Sequence, residues 1–204
     1  MKPIETIMRT APVIPVLVID NPDHAVPIAR ALVAGGLRVL EVTLRTPAAL
    51  DVIRAMRDVA GAIVGAGTVV DGAGLNASID AGAQFIVSPG LTPRLGEAAV
   101  ASGVPFLPGT ANAADLMLGL ELGLLHFKFF PAVASGGLPA LRALAAPFHQ
   151  VKFCPTGGIT AATAGEWLAF DPVLCVGGSW LVAKGTPDED AIAAAARGAA
   201  TLRA

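Results

Sequence analysis

Short apolar runs alternate along the chain with longer segments in which apolar residues recur at helical spacing. The short runs are apolar at successive positions, which is typical of strands that are buried on both faces of a parallel sheet. Runs of this kind occupy residues 13–19, 39–44, 62–68, 85–89, 105–109, 127–131, 152–157 and 174–179. Amphipathic segments between them predict helices, as at residues 23–36, 47–60, 74–83 and 92–103. The order of the segments therefore predicts a repeat of strand and helix, with parallel strands and right-handed crossovers.

The number of repeats favours one architecture. Eight strand–helix units in 204 residues match a small (β/α)8 TIM barrel, a fold whose lower length limit is about 200 residues. An open doubly wound sheet is the alternative, although the first strand is not followed by the GxGxxG of its dinucleotide-binding form. Residues 2–10 predict a short extra helix that covers the bottom of the barrel. We expect residues 1–204 to form a single domain.

Composition narrows the class of protein. Hydrophobic residues make up 54% and charged residues 15% of the chain, which predicts a packed fold with little disorder. The net charge of −2 gives no electrostatic signature for nucleic acid or an anionic membrane.

The same data bear on location in the cell. Mean hydropathy is +0.66, but the best apolar stretch covers only residues 11–19, whereas a spanning helix needs about 18 residues. No signal-peptide pattern is present, and we expect a cytoplasmic protein. Cys154 and Cys175 lack a metal or redox spacing and are expected to be core residues.

Polar residues interrupt two of the predicted strands near their carboxyl ends, where the active sites of these barrels lie. Glu41, Thr43 and Arg45 alternate along the second strand and so share one face of it. Taken alone, this pattern fits a structural Glu–Arg pair as well as a catalytic site, because buried charges are usually paired. Thr68 ends the third strand after small residues that leave room above the sheet, and on its own it is a weak signal.

Lys128 lies in a run of aromatic residues, with Phe127 before it and Phe129 and Phe130 after it. One interpretation is structural, in which the lysine meets a buried acid such as Glu41. The other is catalytic: burial disfavours the ammonium form, and a neutral amine can attack a ketone and form a Schiff base.

Paired glycines follow the seventh and eighth strands, in CPTGGIT and CVGGSW. Backbone amides at such turns, together with the start of the next helix, bind anions, and a phosphate site after these two strands recurs in the barrels. His24, His126 and His149 do not cluster, and no HxH or HExxH spacing suggests a catalytic metal.

Two segments, GLRVLEVTLR (36–45) and GLLHFKFFPAVASG (123–136), resemble the signatures of the 2-keto-3-deoxy-6-phosphogluconate (KDPG) and 4-hydroxy-2-oxoglutarate (KHG) aldolases. IVGAGTV, IVSPGLT and FCPTGGI extend the resemblance over essentially the whole chain. The resemblance implies a homotrimeric class I lyase that needs no metal or cofactor. Its substrate would be a phosphorylated keto acid cleaved to pyruvate and glyceraldehyde 3-phosphate, with 4-hydroxy-2-oxoglutarate, which gives pyruvate and glyoxylate, as a second substrate.

The resemblance also implies a role for each matching residue. Lys128 would form the Schiff base, and Glu41 would move protons as general acid and base. Arg45 and Thr68 would hold the pyruvyl carboxylate, and Thr156 would line the substrate pocket. The residues that would bind the distal phosphate are Gly157, Gly158, Gly178 and Ser179.

Two alternatives remain open from the sequence. The aldolase for the galactonate-derived epimer acts on a substrate that differs only at C4, so a few side chains around Thr156 would decide between them. A non-catalytic phosphate-binding barrel, in which Lys128 and Glu41 form a structural pair, is the alternative from another class.

Overall fold

The computed structural model describes residues 3–202, in which short parallel strands alternate with helices. The strands are Val13–Leu17 (β1), Val39–Thr43 (β2), Ile63–Gly67 (β3), Ile86–Val87 (β4), Phe106–Leu107 (β5), Gly109–Thr110 (β6), His126–Phe129 (β7), Lys152–Pro155 (β8) and Val176–Gly178 (β9). The helices are Pro3–Met8 (α1), Ala25–Ala34 (α2), Ala49–Arg57 (α3), Gly72–Asp80 (α4), Pro93–Ser102 (α5), Ala113–Glu121 (α6), Gly137–Ala145 (α7), Ala164–Leu168 (α8) and Glu189–Ala200 (α9), and a 3-10 turn covers Pro22–His24.

The strands form two hydrogen-bonded sheets. One has six strands in the order β5-β4-β3-β2-β1-β9, and the other has the order β6-β7-β8. Every pairing within these sheets is parallel. The predicted mixed α/β fold with parallel strands is therefore confirmed.

The predicted fifth strand, residues 105–109, is divided into β5 and β6 by Pro108. Proline has no backbone N–H and cannot donate to a neighbouring strand. β5 pairs with β4 while β6 pairs with β7, so the interruption lies where the two sheets meet. The carbonyl of Pro108 still accepts a hydrogen bond from the Lys128 amide at 2.8 Å.

Helix boundaries follow the local sequence. The side chains of Asp71, Thr92, Asn112 and Asp188 each accept a hydrogen bond from the backbone amide three residues on, which caps four helix starts. Gly103 ends α5 with a left-handed φ of 73°, a conformation that glycine adopts without a Cβ clash. No helix within residues 3–202 is long and apolar enough to cross a membrane.

An apolar cluster fills the interior near the amino ends of the strands. It combines Ile14, Val39 and Phe85 with both cysteines, so the expectation that Cys154 and Cys175 are core residues is confirmed. Ile4, Ile7 and Met8 of α1 pack onto the same cluster. The predicted N-terminal helix therefore exists and covers this end of the sheet.

Glu5 ties α1 to strand β7. Its Oε1 accepts a hydrogen bond from Arg9 Nε at 2.8 Å, and its Oε2 lies 3.5 Å from Nε2 of His126, the first residue of β7. The hydrogen bond from Arg9 and the charges of His126 and Arg9 hold the pKa of the Glu5 carboxyl below its ordinary value of 4.5.

Replacement of Glu5 by glutamine is expected to weaken the protein slightly, and only where the carboxyl is ionised. A carboxyl whose pKa is lower in the folded state contributes stability above its unfolded pKa and loses it as the pH falls through the folded value. Melting curves should therefore show a small drop in Tm for Glu5→Gln at neutral pH that disappears in acid. A pH-independent Tm difference for Glu5→Gln would contradict the prediction.

Candidate active site

Lys128 and Glu41 meet in the interior of the fold. Lys128 Nζ donates a hydrogen bond to Glu41 Oε1 at 3.0 Å, and each side chain is only 4% exposed. The two residues come from β7 and β2, which belong to different sheets. The sequence suggested this partner for the lysine as one interpretation, and the structure brings the two groups together.

The aromatic residues around Lys128 divide between two faces. Phe127 and Phe129 are fully buried in the core between sheet and helices. The Phe130 ring lies on the other face, with its centroid 5.2 Å from Lys128 Nζ. An aromatic face at this distance attracts an ammonium group. The alternation of side chains along a strand accounts for the division between the two faces.

Strand β2 ends earlier than the alternation of Glu41, Thr43 and Arg45 implied. The Thr43 hydroxyl donates to the carbonyl of Leu17 at 2.8 Å, which joins the ends of β2 and β1. The chain then turns, and Arg45 is exposed beyond the strand. A structural Glu41–Arg45 pair is not what forms, because the carboxylate pairs with Lys128 instead.

Thr68 follows β3 directly and has an unusual backbone conformation. Its φ is +61°, in the left-handed region that β-branched residues rarely adopt. Its side chain is partly exposed. Backbone strain of this kind costs about 1–3 kcal/mol and persists mainly at functional sites. The strained backbone of Thr68 is therefore a second indication that this residue belongs to a functional site, for which the sequence alone gave only a weak signal.

The strain at Thr68 predicts an inverted order of stability for two substitutions. In regular strands and helices, a protein with glycine is less stable than the same protein with alanine by about 0.5–1 kcal/mol. At a left-handed position the Cβ clash reverses this order, so Thr68→Gly should exceed Thr68→Ala in free energy of unfolding by about 1 kcal/mol.

Denaturant unfolding of the two variants measures this difference. The control is Val70, which is 60% exposed and lies outside the left-handed region. The same pair of substitutions at Val70 should favour alanine. A Thr68→Ala variant as stable as Thr68→Gly would show that the backbone at this position is not strained.

The end of β8 carries Thr156, Gly157 and Gly158. Thr156 is buried and forms a bridge with Gly177 of β9. Gly157 and Gly158 have φ values of 103° and 80°, so both need the conformational freedom of glycine. The carbonyls of Thr156 and Gly157 accept hydrogen bonds from the amides of Ala132 and Val133, which attaches this turn to the segment after β7.

The end of β9 carries Gly178 and Ser179. A side chain at Gly178 would overlap the ring of Trp180. Ser179 is exposed and, with Arg45, lines a cavity of about 480 Å³. Arg45, which is expected to hold a carboxylate, and Ser179, which is expected to hold a phosphate, thus face the same cavity.

Other residues line this cavity that the sequence did not single out. They include Asp20, His24 and Lys184, which lie after β1 and β9. Asp20 and Lys184 lie in loops and His24 lies in the 3-10 turn Pro22–His24, and the spacing of the three residues along the chain carries no periodic signal. Within residues 3–202 no group of three or more His, Cys, Asp or Glu side chains could hold a metal ion.

The structure is a parallel α/β protein with a buried amine and carboxylate in contact, and with a cavity and glycine turns at the carboxyl ends of its strands. An amine placed in this way can form a Schiff base with a ketone. Residues 4–195 match the family described as KDPG and KHG aldolase, and the chain belongs to this family.

Individual relatives match almost the full length. The 2-dehydro-3-deoxy-phosphogluconate aldolase of Zymomonas mobilis is 57% identical over 203 residues, which cover 100% of this chain and 98% of that protein. A crystal structure of the 2-keto-3-deoxy-6-phosphogluconate aldolase of Zymomonas mobilis ZM4 with 3-phosphoglycerate, also 57% identical, has a TM-score of 0.98 and covers 100% of this chain and 97% of its own. The KDPG aldolase of Legionella pneumophila, with pyruvate captured at low pH as a covalent carbinolamine intermediate, is 42% identical, with a TM-score of 0.94 and 98% coverage of each chain.

Proposed function

We propose that this chain is a class I aldolase that cleaves 2-dehydro-3-deoxy-6-phosphogluconate to pyruvate and D-glyceraldehyde 3-phosphate. The observation that carries the proposal is the 3.0 Å contact between the buried Lys128 Nζ and Glu41 Oε1. The identity of 57% to an aldolase named for this substrate supports the choice of substrate. 4-Hydroxy-2-oxoglutarate is the proposed second substrate, since the matching family includes KHG aldolases.

Lys128 is the proposed nucleophile. Its nitrogen attacks C2 of the keto acid to give a carbinolamine, and loss of water gives an iminium. The Legionella relative, which holds pyruvate as a covalent carbinolamine, contains the first adduct of this sequence. When the C3–C4 bond breaks, its electron pair moves to C3 and the iminium becomes an enamine. Protonation at C3 and addition of water then release pyruvate and restore the amine.

Glu41 is the proposed general acid and base. At 3.0 Å from Nζ, its carboxylate can accept the proton that the lysine must lose before it attacks. It can next protonate the departing C2 hydroxyl and take the proton from the C4 hydroxyl as the C3–C4 bond breaks. A single carboxylate beside the amine thus serves each proton transfer in turn, directly or through a water molecule.

The remaining residues are proposed to orient the substrate. Arg45 and Thr68 hold the pyruvyl carboxylate, and Thr156 lines the pocket near C4. Arg45 and Ser179 line one cavity, which supports their action on the same substrate, although Lys128 and Glu41 are not part of its lining. The residues proposed for the distal phosphate are Gly157, Gly158, Gly178 and Ser179.

Borohydride reduction in the presence of pyruvate tests the proposed nucleophile. The reagent reduces an iminium to a stable amine, so mass spectrometry of peptides should place the adduct on Lys128. Lys128→Met should give no adduct and no cleavage while circular dichroism shows a folded chain. Lys152→Met removes a partly buried lysine from neighbouring β8 and is the matched control. This variant should still form the adduct on Lys128 and still cleave the substrate. An adduct on Lys152 or Lys184 would overturn the assignment.

The phosphate site predicts a preference that initial rates can measure. Hydrogen bonds to a charged group contribute about 1.5–3 kcal/mol, so removal of the phosphate from the substrate should lower kcat/KM by about tenfold to a hundredfold. Ser179→Ala should lower kcat/KM for the phosphorylated substrate and leave the dephosphorylated one unaffected. Equal rates on both substrates would place the phosphate outside the glycine turns.

The same assay separates the alternatives. Faster cleavage of the galactonate-derived epimer would indicate the related aldolase rather than the proposed one. A chain that binds the phosphorylated acid and forms no adduct with pyruvate would be the non-catalytic barrel, with Lys128 and Glu41 as a structural pair.

We also propose that the strands close into an eight-stranded (β/α)8 barrel within a single domain. Two observations support closure: β5 and β6 flank Pro108 as one interrupted strand, and isolated bridges join Phe153 to Val173 and Thr156 to Gly177, between β8 and β9. The homotrimer and the cytoplasmic location stay predictions from the family resemblance and the sequence.

A further inference from the structure

The Glu41 carboxylate lies over a position that has no side chain. Glu41 of β2 is the register partner of Gly65 of β3, and Gly67 lies two residues further along the same face of β3. A methyl group on Gly67 would overlap Glu41 Oε1 and would lie 2.7 Å from Cγ and 2.8 Å from Cδ. Carbon atoms in favourable contact are about 3.5–4.0 Å apart. The carboxylate therefore occupies the volume that a side chain at residue 67 would fill.

The backbone does not require glycine at this position. Gly67 is a regular β3 residue paired with Thr43, and it is not among the glycines with positive φ. Any L-residue can adopt this conformation. What excludes a side chain is contact with Glu41, so the consequence of adding one falls on the carboxylate.

We propose that Gly67 is a positioning residue: its missing side chain gives the Glu41 carboxylate the place from which it contacts Lys128 Nζ. The three atoms nearest to a Cβ on Gly67 all belong to Glu41, so the residue acts through this carboxylate. The effect on turnover rests on the proposed aldolase function, whereas the effect on the Lys128–Glu41 contact does not.

A neighbouring glycine provides the contrast. A methyl group on Gly65, on the same strand and face, would overlap the ring of Phe85, which is fully buried in the apolar cluster. The ring cannot leave without disturbing the core. The atoms that obstruct Gly67 are Oε1, Cδ and Cγ of Glu41, a side chain that can rotate without moving the backbone. Alanine at Gly65 should thus act on the core alone, whereas alanine at Gly67 should act on the Lys128–Glu41 contact and, through it, on catalysis.

The test compares Gly67→Ala with Gly65→Ala in thermal melting and steady-state kinetics on 2-dehydro-3-deoxy-6-phosphogluconate. Gly67→Ala is expected to lower Tm, because a displaced carboxylate leaves the buried pair incomplete, and to keep KM within about threefold, while the kcat of the folded fraction falls by about a hundredfold, in the range of general acid–base catalysis. Gly65→Ala is expected to lower Tm and to keep the kcat of the folded fraction. A Gly67→Ala variant with wild-type kcat would overturn the proposal.

A double-mutant cycle asks whether Gly67 acts through the carboxylate. In a Glu41→Gln background the acid–base group is already lost, so Gly67→Ala should reduce the residual kcat by no more than about threefold. Equal fold-losses in both backgrounds would show that Gly67 acts through another group, and the proposal would be wrong.

A crystal structure of Gly67→Ala separates this inference from the proposed function. The Glu41 carboxylate should be displaced from Lys128 Nζ, beyond hydrogen-bond distance, even if the wild-type protein cleaved no keto acid. An unchanged Lys128–Glu41 contact would refute the role of Gly67, whatever the activity. Inactive wild-type protein with a displaced carboxylate in the variant would refute only the aldolase.

Discussion

The buried pair of Lys128 and Glu41 is the constraint on which the rest of the interior depends. Removal of either partner from a buried pair costs about 3–5 kcal/mol, because the other charge is left without compensation. The fold must therefore bring β7 and β2 to a fixed separation, across two sheets, before either residue can do chemistry. The contact that makes the amine and carboxylate tolerable inside the protein is also the one along which a proton would move. Stability and the proposed reactivity thus share one hydrogen bond.

Glycines make room for buried polar side chains in this part of the interior. Gly67 leaves space for the Glu41 carboxylate, and Gly177 of β9 leaves space for the Thr156 side chain, since a methyl group at either glycine would overlap its neighbour. Nearer the amino ends of the strands the interior is closed by large apolar groups such as Phe85. The interior at the amino ends of the strands is closely packed with apolar side chains. At the carboxyl ends, polar groups and a cavity take the place of that packing.

Sequence periodicity could predict the order of strands and helices, because burial on both faces of a strand leaves a local signature. It could not predict where β2 would end. In the structure β2 ends at Thr43, and Arg45 lies in the turn that follows. The break at Pro108 was visible as a residue, but its effect depends on which neighbour each half pairs with. The space at Gly67 needs the orientation of a side chain on another strand, which spacing along one strand does not contain. Contacts between distant elements set these features.

Left-handed backbone occurs just beyond the carboxyl ends of two strands. Thr68 directly follows β3, and Gly157 and Gly158 come after Thr156 at the end of β8; all three have positive φ, which strains only the threonine. Regular strand hydrogen bonding cannot continue through such residues, so each strand ends where its candidate site residue begins. In such a site the strands are held by their neighbours in the sheet, and the backbone turns sharply just after them. The residues in these turns point their side chains and amides in directions that an extended chain would not give them. The strain at Thr68 is tolerable because the packed end of the same strand, held by β2 and β4, supplies the stability that the turn gives up.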